Sequence, residues 1–191
     1  PFNSMKSFFL FLLGFFSMAN ASKSSYQIEN IAFPDDMPPE IGGLALDKKG
    51  NLYACLRRGD VLVTKPNKDA ASTKWKVFAT GLHNPMGMEL IGSGHLVVTQ
   101  MAEFTEIIDT DQDGVADRYN NLANNFGISG NYHETNAICS DGEGGFYIAL
   151  GTASHNGPTF FTPRGEYSRE GRRGRNFSSN DLRGWVVHYH K

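Results

Sequence analysis

Ile41-Gly42-Gly43-Leu44-Ala45-Leu46, then Asp47-Lys48-Lys49-Gly50-Asn51, then Leu52-Tyr53-Ala54-Cys55-Leu56: this stretch decides the fold. Two short apolar runs flank a turn whose Asp, Gly and Asn favour chain reversal. Gly59-Asp60 turns the chain again, and Val61-Leu62-Val63-Thr64 makes a third run. Trp75-Lys76-Val77-Phe78-Ala79 alternates as an outer strand should. The phrase then restarts. Pro85 to Leu90 is a first strand, Gly92-Ser93-Gly94 a turn, His95 to Thr99 a second strand and Thr105 to Ile108 a third. It restarts again at Asn136-Ala137-Ile138-Cys139, with turn Asp141 to Gly145 and strand Phe146 to Leu150.

The period is about 45 residues, stretched in the second unit by an insertion, and each unit holds about four short strands. That pattern predicts an all-β chain built of β-propeller blades. A β-sandwich is the alternative, but sandwiches do not repeat one strand–turn–strand phrase in register. The expected blades span residues 37–80, 81–130 and 131–191, after a linker over 22–36. In a propeller the first strand of each blade lines a central channel. The loops leading into those strands gather at one mouth, where ligands bind. Glu40, then His83 and Asn84, then His133 and Glu134 occupy those loops.

The N-terminal region reads as an export signal. Met5 is the expected start, Lys6 a small basic n-region, Ser7 to Met18 a dense apolar run and Ala19-Asn20-Ala21 a cleavage site. A membrane anchor is the alternative, but the run is short of the roughly 20 residues that span a bilayer. No Cys follows it that could carry a lipid. The mature chain then has roughly 170 residues, enough for one core, and a secreted or periplasmic location. Net charge is −2 and no basic stripe is present, which argues against nucleic acid as a partner. Cys55 and Cys139 both lie in apolar runs, so buried free thiols are expected, with a disulfide as the alternative. Trp185 to Lys191 reads as a strand without a following turn, so the chain is expected to be part of a longer protein. His188 and His190 alternate there and share one face, without a third ligand to suggest a metal.

Asp109-Thr110-Asp111-Gln112-Asp113-Gly114-Val115-Ala116-Asp117 is the most specific local motif. Carboxylates at alternate positions converge only where the backbone curls around a point, and Gly114 permits the curl. Val115 can offer its carbonyl, and Asp117 closes the ring. Hard oxygen ligands in this number suit Ca²⁺. Asn120 stands where a complete EF-hand loop has its bidentate Glu, and the flanks are strand-like rather than helical. A structural calcium cup between the outer strands of a blade is the expectation, with a solvated acidic turn as the alternative.

The stretch Gly130 to Glu134, followed by Asp141 to Gly151, resembles the soluble quinoprotein glucose and aldose sugar dehydrogenases. The whole chain is also similar to secreted bacterial propellers of the sorbosone or "membrane-bound" dehydrogenase group. Shared phrases are Arg57-Arg58-Gly59-Asp60-Val61, Gly81 to Gly87, the acidic loop, Ile128 to Glu134 and Arg183-Gly184-Trp185. The resemblance implies a six-bladed propeller holding pyrroloquinoline quinone (PQQ) over the channel. It implies His133 as the base that takes a proton from a sugar or alcohol hydroxyl. Glu134, His155 and Asn156 would lie at the cofactor, and a cytochrome would accept electrons. Two departures stand out: Thr152 where the family has Asp, and His155 where it has Arg. Arg172, Arg173 and Arg175 form a basic cluster that reads as solvated surface or as carboxylate clamps. The expected function is therefore an exported quinoprotein-type dehydrogenase. The alternatives are a non-catalytic glycan- or protein-binding propeller, with or without a fused cytochrome c domain, and a calcium-dependent lactonase-like hydrolase.

Overall fold

The computed structural model describes residues 26–101, 103–125, 135–151 and 184–190. Strands β1 (Ile41–Leu46), β2 (Leu52–Leu56), β3 (Val61–Thr64) and β4 (Lys76–Ala79) form an antiparallel sheet in chain order. Strands β5 (Gly87–Gly92), β6 (His95–Gln100), β7 (Glu103–Ile108) and β8 (Arg118–Ala123) repeat that order in a second sheet. Strands β9 (Thr135–Ser140), β10 (Phe146–Leu150) and β11 (Val186–Tyr189) make a third, again in chain order. The described chain is thus all-β, apart from a single 3-10 turn at Ala70–Ser72. Among the described residues no helix is long and apolar enough to cross a membrane.

Turn chemistry explains why the units repeat. The Asp47 carboxylate accepts the N–H groups of Lys49 and Asn51, both at 2.8 Å, and the Asn51 side chain donates back at 2.7 Å. In the third sheet Asp141 accepts from Glu143 and Gly145, again both at 2.8 Å. The same side-chain-closed turn therefore sets the first hairpin of both sheets.

The sheets pack face to face through two apolar seams. Tyr53, Cys55, Val61 and Phe78 of the first sheet meet Met88, Leu96, Val98 and Ile107 of the second. Val97 and Phe104 of the second sheet meet Phe146, Ile148 and Leu150 of the third. The two-residue period of β6 thus feeds both seams: Leu96 and Val98 face one way, Val97 the other, and all three are fully buried. Tyr53 meets Phe78 edge-on at 5.3 Å, and Phe104 meets Phe146 and Tyr189 at 5.6 and 5.2 Å. Each fully buried large apolar side chain contributes about 1.5–3 kcal/mol. The first strands β1, β5 and β9 lie beside one another. Successive meanders, stacked on their faces with their first strands adjacent, are blades of a partial β-propeller.

Ahead of β1, the Trp75 indole donates to the Ala32 carbonyl at 2.8 Å and its ring meets Phe33 at 5.5 Å, so this segment packs on the outer part of the first sheet. The cysteines are both free, but only Cys55 is buried. Cys139 is exposed, contrary to expectation. Its pleat neighbour Ile138 packs on the second seam, which turns Cys139 to the opposite face of β9. An apolar run alone does not reveal which face another sheet covers.

Candidate functional site

Strand register sorts the loops onto two ends. Ile41 pairs with Leu56, Gly87 with Thr99 and Leu150 with Thr135, so the lead-in loops of all three first strands lie at one end. The β2–β3 and β6–β7 turns share that end. The β1–β2 and β5–β6 turns and the acidic loop lie at the other.

At the lead-in end Arg57 joins two loops. Its N–H donates to the Glu40 carbonyl at 2.9 Å, and its Nε donates to Asn84 Oδ1 at 3.0 Å. Gly59 makes the approach possible. Its φ of 112° suits no side chain, and a Cβ there would meet the Leu82 carbonyl oxygen at 2.2 Å. Leu82 N–H donates to Gly59 O at 3.0 Å. The next loop is held from below by a polar chain. Gln100 Oε1 accepts from His83 N–H at 2.5 Å, Gln100 Nε2 donates to Thr105 Oγ1 at 2.7 Å, and Thr105 donates to Glu103 at 2.6 Å. Gln100 and Thr105 are buried. His83 itself is exposed and Asn84 half-buried. Three of the residues singled out as mouth-lining, Glu40, His83 and Asn84, are thereby on linked loops.

The third lead-in loop carries His133 and Glu134, which lie outside the described residues, as do His155, Asn156 and the Arg172, Arg173 and Arg175 cluster. So does the export signal. Their described neighbours fix where those segments attach. Thr135 opens β9, and Gly184 N–H donates to the carbonyls of Leu150 and Gly151 at 3.0 and 3.1 Å. Leu150, Gly151 and Gly184 thus lie at the lead-in end of the third sheet. Thr135 is fully buried, and its Oγ1 has no hydrogen-bond partner among the described residues.

At the opposite end the acidic loop links β7 to β8, the outer strands of the second sheet. Ligand oxygens of Asp109, Asp111 and Asp113 lie within 4.8 Å of one another. Backbone donors fold the loop: Gly114 N–H to Asp109 at 2.9 Å, Val115 N–H to Asp113 at 2.8 Å, and Asp113 N–H to Asp109 and Asp111 at 3.2 and 3.3 Å. Gly114 has a φ of 93°, the curl the sequence asks for. Asp117 is not in this group. Its carboxylate accepts from the Thr110 hydroxyl at 2.6 Å and the Thr110 N–H at 3.2 Å, and the hydroxyl bond foremost lowers its pKa. Three converging carboxylates fit a hard divalent cation such as Ca²⁺ in donor chemistry. The loop borders a half-open cleft of about 760 Å³ between the first two sheets. Lys49, Lys65, Lys74 and Lys76 line the same cleft as Asp109 and Asp113.

His188 on β11 bonds Asp141 at 2.8 Å, stacks on Tyr147 at 4.4 Å and lies 5.2 Å from His190. The shared face of the two histidines is as expected. His188 is engaged in holding the β9–β10 turn to β11.

Asn84 is legible in the sequence as a mouth-lining residue, whereas Arg57 stands there only within a longer phrase and its link to Asn84 is not foreseen. Their bond spans 27 residues and two sheets, and no local pattern encodes it. A cation in one inter-strand turn, facing a polar residue in the following lead-in loop, is the signal that could have found it.

Stacked four-stranded meanders with their lead-in loops at one end define a β-propeller-type domain. A family model described as "Domain of unknown function (DUF7133)" matches residues 43–188, and the chain belongs to that family. No curated protein matches the chain in sequence. Among solved structures it is similar to the holo form of the pyranose dehydrogenase PQQ domain from Coprinopsis cinerea, with 16% identity and a TM-score of 0.49. That match covers 60% of this chain and 28% of the other, so the chain spans less than a third of that protein's length.

Proposed function

We propose that the chain is part of an exported quinoprotein-type dehydrogenase that oxidises a sugar or related alcohol at the lead-in end. What chiefly supports this is the position of the His133-Glu134 pair in sequence, directly before buried Thr135 at the start of a first strand. The residues at this end suit a carboxylated quinone. Arg57 supplies a half-buried cation, and Thr135 supplies a buried hydroxyl without a partner among the described residues. PQQ, when bound, supplies a two-electron acceptor for the substrate's hydride. In this reading His133 takes the hydroxyl proton, since an imidazole is half-protonated near neutrality. Glu134, His155 and Asn156 lie beside the cofactor. Asp109, Asp111 and Asp113, with the Val115 carbonyl, hold a structural Ca²⁺ at the opposite end from the chemistry. A cytochrome takes the electrons onward.

The intact protein, supplied with PQQ and Ca²⁺, is expected to reduce a dye with aldoses as donors, and His133→Ala to abolish this. Failure of the intact protein to bind PQQ refutes the proposal. A binding propeller without chemistry is the second reading, favoured by Thr152 and His155 where the family has Asp and Arg. It predicts glycan or protein binding that His133→Ala leaves unchanged, with no oxidation. A lactonase-like reaction is disfavoured because, among the described residues, the clustered carboxylates lie at the opposite end.

A further inference from the structure

Arg57 does more than a structural latch requires. The residue that holds its Nε, Asn84, is neutral and leaves the positive charge uncompensated. Among the described residues no carboxylate forms an ion pair with Arg57. Neighbouring Arg58 is the opposite case: exposed, and paired with Asp60 at 2.6 Å. A half-buried guanidinium without a counter-charge is less favourable than a paired one.

The position is also prepared. Asn84 sits in the left-handed region at φ 51°, which asparagine accepts more readily than most residues with a side chain. Its loop is pinned from both sides, by Gly59 against Leu82 and by Gln100 and Met101 against His83, the last through a 2.9 Å bond from Met101 N–H. Binding Asn84 uses one of the five guanidinium hydrogens. The other four, on Nη1 and Nη2, have no partner among the described residues. A planar pair of amino groups matches the two oxygens of a carboxylate.

The geometry points to Arg57 as an anion-binding residue of the lead-in end, positioned by Asn84 and suited to a carboxylate. This rests on reading that end as the ligand site. Two sources share the chemistry: a carboxylate of the quinone, or the carboxylate of a sugar-acid substrate.

The test titrates the intact protein with PQQ by absorbance, and separately with galacturonate and with glucose by calorimetry. Wild type, Arg57→Gln and Arg57→Lys are compared, with circular dichroism melts to establish that each is folded. At least one carboxylated ligand should bind wild type and bind Arg57→Gln about tenfold or more weakly. Arg57→Lys keeps the charge without the fork and should lose less, and it remains informative if Arg57→Gln does not fold. Glucose should respond to neither substitution. An effect on PQQ assigns the carboxylate to the cofactor. An effect on galacturonate without PQQ binding upholds Arg57 and refutes the quinoprotein reading. PQQ binding equal in all three proteins, with galacturonate indifferent, overturns the role of Arg57 while leaving the quinoprotein reading intact. If neither carboxylated ligand binds wild type, the inference is overturned.

Discussion

Replacing Gly59 by Ala tests how the first two sheets are joined at the lead-in end. Gly59 holds a φ of 112°, and a Cβ there would stand 2.2 Å from the Leu82 carbonyl oxygen, a backbone atom that no rotamer change can move. The unfavourable backbone angle costs roughly 1–3 kcal/mol, and overpacking a fixed neighbour costs a similar amount again. Gly114→Ala separates the two effects, since Gly114 has a comparable φ of 93° with nothing within 4 Å of the added carbon. The expected loss is about 1 kcal/mol for Gly114→Ala and about 3 kcal/mol or more for Gly59→Ala. For a chain of this size those figures correspond to melting points lower by about 2–4 °C and about 6–12 °C. Circular dichroism melts of both variants read the difference. A Gly59→Ala protein melting as high as Gly114→Ala would show that the Gly59–Leu82 contact is not tight, and the preparation of the Arg57–Asn84 pair would fall with it.

Other outcomes follow from the same structure. Burial pushes the Cys55 thiol up to about 12, so native protein at pH 8 should alkylate at exposed Cys139 while Cys55 reacts only after denaturation; mass spectrometry of the labelled peptides decides. Asp141 is held down at about 2, first by its bond from His188 and then by the Glu143 N–H. Because its folded pKa lies below its unfolded one, its contribution is complete above about pH 4 and fades as pH falls towards 2. A carboxyl NMR titration should show that midpoint, and His188→Ala should raise it. Phe104 is fully buried between Phe146 and Tyr189, and Phe104→Ala should cost about 3–5 kcal/mol. Hydrogen exchange should then quicken most in β9 and β10, and uniform exchange would contradict the second seam.

The repeated hairpins were legible because the chemistry that makes them is local. Asp47 and Asp141 close their turns on amides two and four residues away, and apolar residues fill the strands on either side. The curl of the acidic loop was legible for the same reason, down to Gly114. Its closure was only partly so: Asp109, Asp111 and Asp113 converge, while Asp117 bonds Thr110, a choice between two nearby partners that spacing does not decide. The link between Arg57 and Asn84 could not be read in advance, because it depends on how one blade docks on the next. Cys139 failed for a related reason. Its run is apolar, yet the face it occupies on β9 is set by which side of the sheet Ile138 packs on.

The central claim is that the end gathering Glu40, Asn84 and Thr135 holds the ligand. A crystal structure of the intact protein grown with PQQ and Ca²⁺ tests it most directly. The quinone should lie at that end, within hydrogen-bond reach of Arg57 or of His133. Quinone density in the lysine-lined cleft beside the acidic loop, or its absence at saturating concentration, would contradict the account.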